Sequence, residues 1–179
     1  MFKYIIDEDL ELRLISMEDS DEFFNLIDSN RTHLREWLPW VDGTKSVEDT
    51  KNFIKSSMNQ YGANNGFQAG IWYMDKIVGI IGLHQLSWYH KNTSIGYWLA
   101  EGFQGKGIMT KACRAVIEYI FITLGLERVE IRCADKNFKS QAIPERLGFT
   151  KEGVCRNVEN LYGNYVNHIV YSVLREEWV

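Results

Sequence analysis

An α+β chain with interleaved strands and helices is the fold class that the sequence predicts, and three observations predict it. Apolar and polar residues alternate with period two in Leu10–Ile15 and in Val129–Ala134, the pattern of strands with one buried face. Ile108, Met109, Ala112, Cys113, Val116, Tyr119 and Ile120 recur instead at helical spacing. The 179 residues contain no internal repeat, low-complexity tract or linker, so one domain over residues 1–179 is expected.

Bulk properties narrow the function classes. Hydrophobic residues at 45% and charged residues at 25% are ordinary globular values and allow a sizeable core. A formal net charge of −4 argues against a nucleic-acid partner and suits a cationic one, such as a protonated amine. Cys113, Cys133 and Cys155 are odd in number and form no C-x-x-C pair, so they read as reduced thiols, with Cys133 a small core residue. Met1–Asp9 lacks the apolar stretch and small-residue cleavage site of a signal peptide. No run approaches the ~20 apolar residues of a membrane span. A cytoplasmic protein is expected.

The elements follow in order. After the strand Leu10–Ile15, acidic residues lead into a helix over Asp19–Ile27 that carries Phe23, Phe24, Leu26 and Ile27. A second helix ends near Leu38, because Pro39 disfavours helix in the residue before it. Trp37 and Trp40 flank that proline and either anchor a core or wall a substrate pocket. Ser46 and Asp49 form a capping box with Asp in the usual Glu place, opening a helix through Phe53, Ile54 and Met58; Asn59–Gly66 then reads as a connection. Gln68–Met74 and Lys76–Leu86 read as a hairpin turned at Asp75-Lys76. His84 and His90 show no metal-ligand spacing and read as packing or polar residues; no metal is expected. Thr93–Leu99 is a strand, and a helix runs from near Gly107 to about Leu124, closed by Gly125. After the strand Val129–Ala134, a short helix has Ser140 as its expected cap, Pro144 in its first turn or so and Gly148 at its end. Thr150–Val158 and Tyr165–Leu174 are the last strands, turned by Tyr162-Gly163-Asn164.

The stretch Gln104-Gly105-Lys106-Gly107-Ile108-Met109-Thr110, between a strand and a long helix, carries the strongest chemical signal. Its glycines let the backbone turn sharply, and the first amides of the helix have no partner within it, which suits a phosphate. The mononucleotide pattern G-x-x-x-x-G-K-S/T fails because Ile108 stands where Lys is required, and the dinucleotide pattern G-x-G-x-x-G fails at Thr110. What fits is Q/R-x-x-G-x-G/A, with Gln104 and Gly107 in place and Met109 departing from the last position. Further on come Asn137, Ser140, Leu147, Gly148 and Phe149, an N-x-x-S…L-G-F series. In this order the parts resemble the GNAT acetyltransferases from about Thr93 to Phe149. The Asn30–Trp40 run, N-R-x-x-L-R-x-W-L-P-W, resembles their RimJ/RimL branch, which modifies ribosomal-protein N termini.

The resemblance implies a strongly twisted mixed sheet of about seven strands with helices on both faces, and acetyl-CoA as donor. It implies that the strand at Trp98-Leu99 splays from Cys133-Ala134, so that exposed backbone groups hold the pantetheine arm. By the same resemblance the amides of Gly105, Lys106, Gly107, Ile108, Met109 and Thr110 hold the pyrophosphate, while the Lys106 side chain either adds charge or is simply solvated. Acetyl transfer needs a base for the amine, a polarised carbonyl and a proton for the thiolate. The Leu99 amide is the candidate for the carbonyl. Ser140 matches the family position beside the sulfur, and Asn137 contacts the cofactor arm or orients water. Glu159 stands where the RimL branch carries a glutamate near the acceptor amine; Glu101, beside an anion site, is a poorer base. Tyr162 and Tyr165 are available as acids, and spacing does not choose between them. With no Ser-His-Asp or Cys-His set in the motifs, direct attack in a ternary complex is expected rather than an acyl-enzyme.

The acceptor implied is the α-amine of a ribosomal protein. A small amine, such as a polyamine, an aminoglycoside or an amino acid, and a non-catalytic acyl-CoA sensor stay open beside it. A homodimer would suit the branch and the aromatic content of 13%.

Overall fold

The computed structural model describes residues 3–178. Eight strands and five α-helices follow in order: β1 (Lys3–Ile5), β2 (Leu10–Leu14), α1 (Ser20–Ser29), α2 (Arg31–Arg35), α3 (Val47–Gly62), β3 (Gln68–Tyr73), β4 (Lys76–Ser87), β5 (Asn92–Leu99), α4 (Ile108–Glu118), β6 (Arg128–Ala134), α5 (Phe138–Arg146), β7 (Thr150–Leu161) and β8 (Asn164–Leu174). The sheet runs β1-β2-β3-β4-β5-β6-β8-β7, one strand more than the seven expected. The addition is β1, three residues paired antiparallel with Glu11–Arg13 and too short to show a period in sequence. Between β5 and β6 the pairing is parallel and ends at Ser94 opposite Glu130, whereas β5 itself runs to Leu99 and β6 to Ala134. The chain gathers into two compact units, one of residues up to Gly82 with Tyr97–Ala112, the other of Leu83–Gly96 with Cys113 onwards. Among the described residues, no helix is long and apolar enough to cross a membrane.

The first unit is organised on a core of Ile15, Phe23, Ile27, Leu34, Val41, Ile54, Trp72, Ile77 and Ile80. Helix α1 contributes Phe23 and Ile27 from one face, four residues apart, as helical spacing demands. The capping box of α3 forms as expected: Ser46 Oγ accepts from the Asp49 amide, and Asp49 Oδ2 accepts from the Ser46 amide at 2.9 Å. These donors, the Ser46 hydroxyl first among them, hold the Asp49 carboxyl below its ordinary range. The helix then runs to Gly62, so Asn59–Gly62, expected as connection, is its last turn. Polar residues there do not interrupt the helical bonds, and the Ala63 amide still reaches the Asn59 carbonyl at 2.9 Å. The β3–β4 turn is Met74-Asp75, one residue earlier than expected. Both residues have positive φ, 51° and 60°, the twist-matched arrangement for a two-residue hairpin. Gly79 is required by close approach: a Cβ there would lie 2.3 Å from the Trp98 carbonyl oxygen.

In the second unit, Val129, Ile131 and Cys133 of β6 are buried at alternate positions, the pattern read from sequence, whereas Ile169, Val170, Tyr171, Ser172 and Val173 of β8 are buried without a break. Helix α4 widens after Glu118 into a π-turn over Tyr119–Thr123, where the Leu124 amide reaches back to the Tyr119 carbonyl. Hydrophobic spacing alone does not reveal that change of winding.

Helix α5 corrects two expectations. Asn137, not Ser140, is its N-cap: Asn137 Oδ1 accepts from the Ser140 amide at 3.1 Å, which puts Ser140 in the third helical position. Pro144 therefore lies in the second turn rather than the first. The end is a Schellman turn, with Gly148 at φ +78° and the Phe149 amide bonded to the Pro144 carbonyl at 3.0 Å. Strand β7 runs to Leu161, beyond the expected Val158, and turns through Tyr162-Gly163. It is not regular: Arg156–Val158 face Asn167 alone, with Asn157 at φ +51°.

Candidate functional site

The phosphate-loop candidate lies wholly in the first unit. Gly105 and Gly107 both have φ +75°, and a Cβ built on either would meet nothing within 4 Å. The strained backbone and the open space in front of it are what a closely approaching anion requires. The bond from the Lys111 amide to the Gly107 carbonyl, 3.0 Å, closes the first turn of α4, and the amides of Ile108 and Met109 come before that first helical bond. Ile108 and Met109 are buried, at 2% and 6% exposure, so only their main chains can face a ligand. That explains why Met at position 109 is tolerated where the family pattern has Gly or Ala. The Lys106 ammonium lies 5.2 Å from the Phe103 ring and 5.9 Å from the Tyr73 ring, a cation–π perch at the loop's exposed edge.

The Asn30–Trp40 run braces this loop. Asn30 Nδ2 donates to the Leu26 carbonyl at 2.9 Å, and its Oδ1 accepts from the Glu101 amide at 3.1 Å. One helical turn on, His33 Nε2 lies 2.9 Å from Gln104 Nε2. With the amide nitrogen as donor, this ring nitrogen is the acceptor. The Arg31 guanidinium ties the run down at the Val41 and Thr44 carbonyls, both at 2.7 Å, and Arg35 grips Asp42 with two bonds. The Arg35 guanidinium holds the Asp42 carboxyl low. Sequence reading had singled out neither Asn30 nor His33; the three-residue spacing that puts both on one helix face was the available signal.

The tryptophans resolve into a row. Trp98 stacks on Phe23 at 5.8 Å and 19°, and Trp40 tilts against Trp98 at 6.1 Å and 48°. Trp40 keeps 42% of its surface exposed while Trp37 is half-buried, so Trp40 serves the packing and still presents an indole face. Leu99 is buried, and the next residue, Ala100, donates its amide to the Val78 carbonyl at 2.8 Å.

The second unit holds the other candidates. Ser140 Oγ donates to Cys133 Sγ at 3.2 Å. Gln141 fixes the corner before α5 by donating to the Ala134 and Asp135 carbonyls, both at 3.0 Å. Tyr171, buried under α5, donates to Glu145 at 2.9 Å. Burial and this bond push the Tyr171 phenol up to about 12, so it is a fixed donor at neutral pH. Burial likewise pushes the Cys113 thiol far up, as befits an inert core residue. Glu159 follows the β7 bulge, and its Oε2 lies 2.8 Å from His168 Nε2 of β8, a partner not anticipated. Tyr162 forms the hairpin turn and Tyr165 pairs with Asn160, both exposed. His84 packs over Gly96, where a Cβ would meet its Nε2 at 2.5 Å. Among the described residues, no group of three or more His, Cys, Asp or Glu side chains is arranged to hold a metal ion.

Comparison with known proteins gives these parts a family. The acetyltransferase (GNAT) domain profile matches residues 9–150. The chain is 39% identical to YdaF of Bacillus subtilis (strain 168), a candidate ribosomal N-acetyltransferase, over 99% of this chain and 98% of that one. Among solved structures, the RimL ribosomal α-N-protein acetyltransferase in complex with coenzyme A superposes with a TM-score of 0.93 at 25% identity, covering 97% of this chain and 98% of that one. The microcin C7 self-immunity acetyltransferase MccE, solved with acetyl-CoA and AMP, superposes with a TM-score of 0.90 at 30% identity, covering 94% of each chain. With the profile spanning most of its length, the chain belongs to the GNAT acetyltransferases and is an acetyl-transferring enzyme.

Proposed function

We propose that this enzyme moves the acetyl group of acetyl-CoA directly to the N-terminal α-amine of a ribosomal protein. The observation that carries this reading is the 39% identity to a candidate ribosomal N-acetyltransferase over 99% of the chain. The similarity reaches beyond the donor-binding motif to segments that have no role in holding a phosphate.

Each residue has a physical task in this reading. The main-chain amides from Gly105 to Thr110, with Gln104 and Lys106 beside them, hold the pyrophosphate at the start of α4. The main chain at Trp98 and Leu99 pairs with the pantetheine arm, and the Leu99 amide polarises the thioester carbonyl. Asn137 contacts the same arm. The amine nitrogen attacks the carbonyl carbon, and the N–C bond forms as the C–S bond breaks. Glu159 takes the amine proton, and the Ser140 hydroxyl stabilises the departing CoA thiolate by donating a hydrogen bond to it, the thiolate taking its proton from solvent. Ser140 already donates to a sulfur, Cys133 Sγ. A thiol sulfur is a weak acceptor, so exchanging it for a thiolate favours the product side. Trp37 and Trp40 line the acceptor side.

A second reading, a small amine that carries a flat ring, is favoured by the exposed indole of Trp40 and by the similarity to MccE, which was solved with AMP. Release of free CoA thiol from acetyl-CoA, measured with ribosomal-protein N-terminal peptides and with a panel of small amines, separates the two. Peptide-dependent release is expected. Release with small amines alone would move the acceptor to the second reading, and none with any acceptor would leave acetyl-CoA binding without transfer.

A further inference from the structure

We propose that His168 is a positioning residue for Glu159, holding one carboxylate oxygen so that the other is presented to the acceptor amine. This rests on the reading of Glu159 as the base. His168 Nε2 is 2.8 Å from Glu159 Oε2, with the His168 side chain 20% and the Glu159 side chain 33% exposed. A carboxylate only accepts, so Nε2 carries the proton and the bond occupies Oε2. Oε1 is then the oxygen open to an incoming proton.

The need for such a holder follows from the backbone. Regular pairing of β7 with β8 stops at Cys155 opposite His168 and resumes at Glu159 opposite Val166. Glu159 is therefore the first residue to pair again after a bulge, with regular ladder on its C-terminal side alone. Two consecutive β8 residues brace the irregular stretch. Asn167 Oδ1 accepts from the Asn157 amide at 3.0 Å, and His168 takes the Glu159 carboxylate. Asn167 is in turn anchored at Asp135, its Nδ2 donating to Asp135 Oδ2 at 2.7 Å and its carbonyl accepting from the Asp135 amide at 2.9 Å. Asp135 opens the corner that leads to Asn137 and Ser140. One chain of hydrogen bonds thus links the corner that holds Ser140 to the bulge that carries Glu159.

The titratable and charged groups around His168 are few. Glu159 and Cys155 face it from β7. On β6 the residue opposite is Ala134, with Arg132 two positions away and ion-paired to Glu130, and Asp135 follows. An N–H donated to a carboxylate favours its ionised form, which is the form a base must have.

The test compares His168→Leu, His168→Gln and Glu159→Gln by steady-state kinetics on the full chain, with the acceptor that gives the fastest thiol release. Glu159→Gln is expected to lower kcat by on the order of a hundredfold. His168→Leu is expected to lower it roughly tenfold through loss of orientation, with KM for acetyl-CoA unchanged. His168→Gln, whose amide nitrogen can stand where Nε2 does, is expected to restore part of the rate. If Glu159→Gln lowers kcat but His168→Leu does not, positioning by His168 is overturned and the base stands. If Glu159→Gln leaves kcat unchanged, the base reading falls and the role of His168 falls with it. Unaltered acetyl-CoA affinity in all three variants serves as the check on folding.

Discussion

Gln104–Thr110 and Arg156–Asn160 are two irregular stretches, and each bends the backbone into positive φ: Gly105 and Gly107 at +75° in one, Asn157 at +51° in the other. In the first, glycine makes the bend without cost from a side chain, and the helix that follows adds the amides of its first turn. In the second, an asparagine takes the strained conformation, and residues from another strand hold it there: Asn167 at the Asn157 amide and His168 at the Glu159 carboxylate. A binding loop of the first kind is written in consecutive residues. A position of the second kind, proposed to carry the base, is assembled by strand register.

Three substitutions would break or sharpen that contrast. The largest effect is expected from Gly107→Glu. A Cβ there meets nothing within 4 Å, although at φ +75° an L side chain strains the backbone by ~1–2 kcal/mol, and a carboxylate would stand before the amides proposed to hold the pyrophosphate. Calorimetric titration should show acetyl-CoA affinity reduced by more than about a hundredfold. Unchanged affinity would place the donor's phosphates elsewhere.

A smaller effect belongs to the brace behind the loop. Asn30→Ala removes the acceptor for the Glu101 amide and the donor to Leu26, and acetyl-CoA affinity should fall roughly three- to tenfold. The rate at saturating donor should hold, which is the reverse of the pattern expected for His168→Leu. A fall in kcat at constant affinity would mean that Asn30 acts on the acceptor instead.

The smallest effect concerns Glu152, in the earlier register break of β7 between Lys151 and Gly153. Arg128 and Ser172 hold the Glu152 carboxyl down at about 2, against an ordinary value of 4.5. A carboxyl depressed in the folded state stabilises the fold above its unfolded value, and that contribution is lost as pH falls from 4.5 towards 2. Because the side chain is 39% exposed, solvent screens the pair. Glu152→Gln should therefore cost no more than about 1 kcal/mol at neutral pH in denaturant titrations. The variant should also show a shallower loss of stability across the acid window. Equal acid sensitivity in both proteins would assign it to other carboxylates.

These contrasts mirror what could be read from the amino acids alone. The Ser46 capping box, the glycine-rich opening of α4, the glycine closing α5 and the alternation in β6 all rest on neighbours within a few residues, and local chemistry settles them. Where local signals compete, the reading slipped. Asn137 and Ser140 are both good caps, and only the bond from the Ser140 amide to Asn137 Oδ1 shows which one caps and which one sits a turn inside.

What the sequence by itself determined is the family, the order of its elements and the loop at Gln104–Thr110, because each is carried by residues adjacent in the chain. The tertiary structure alone decided that Asn30 and His33 meet Glu101 and Gln104, seventy-one positions away in each case, and that His168 meets Glu159 across a bulged hairpin. The physical reason is that a hydrogen bond is specific only to about an ångström, whereas periodicity and propensity specify a face. Which side chain on that face finds a partner depends on the register of whole strands and helices packed around a common core.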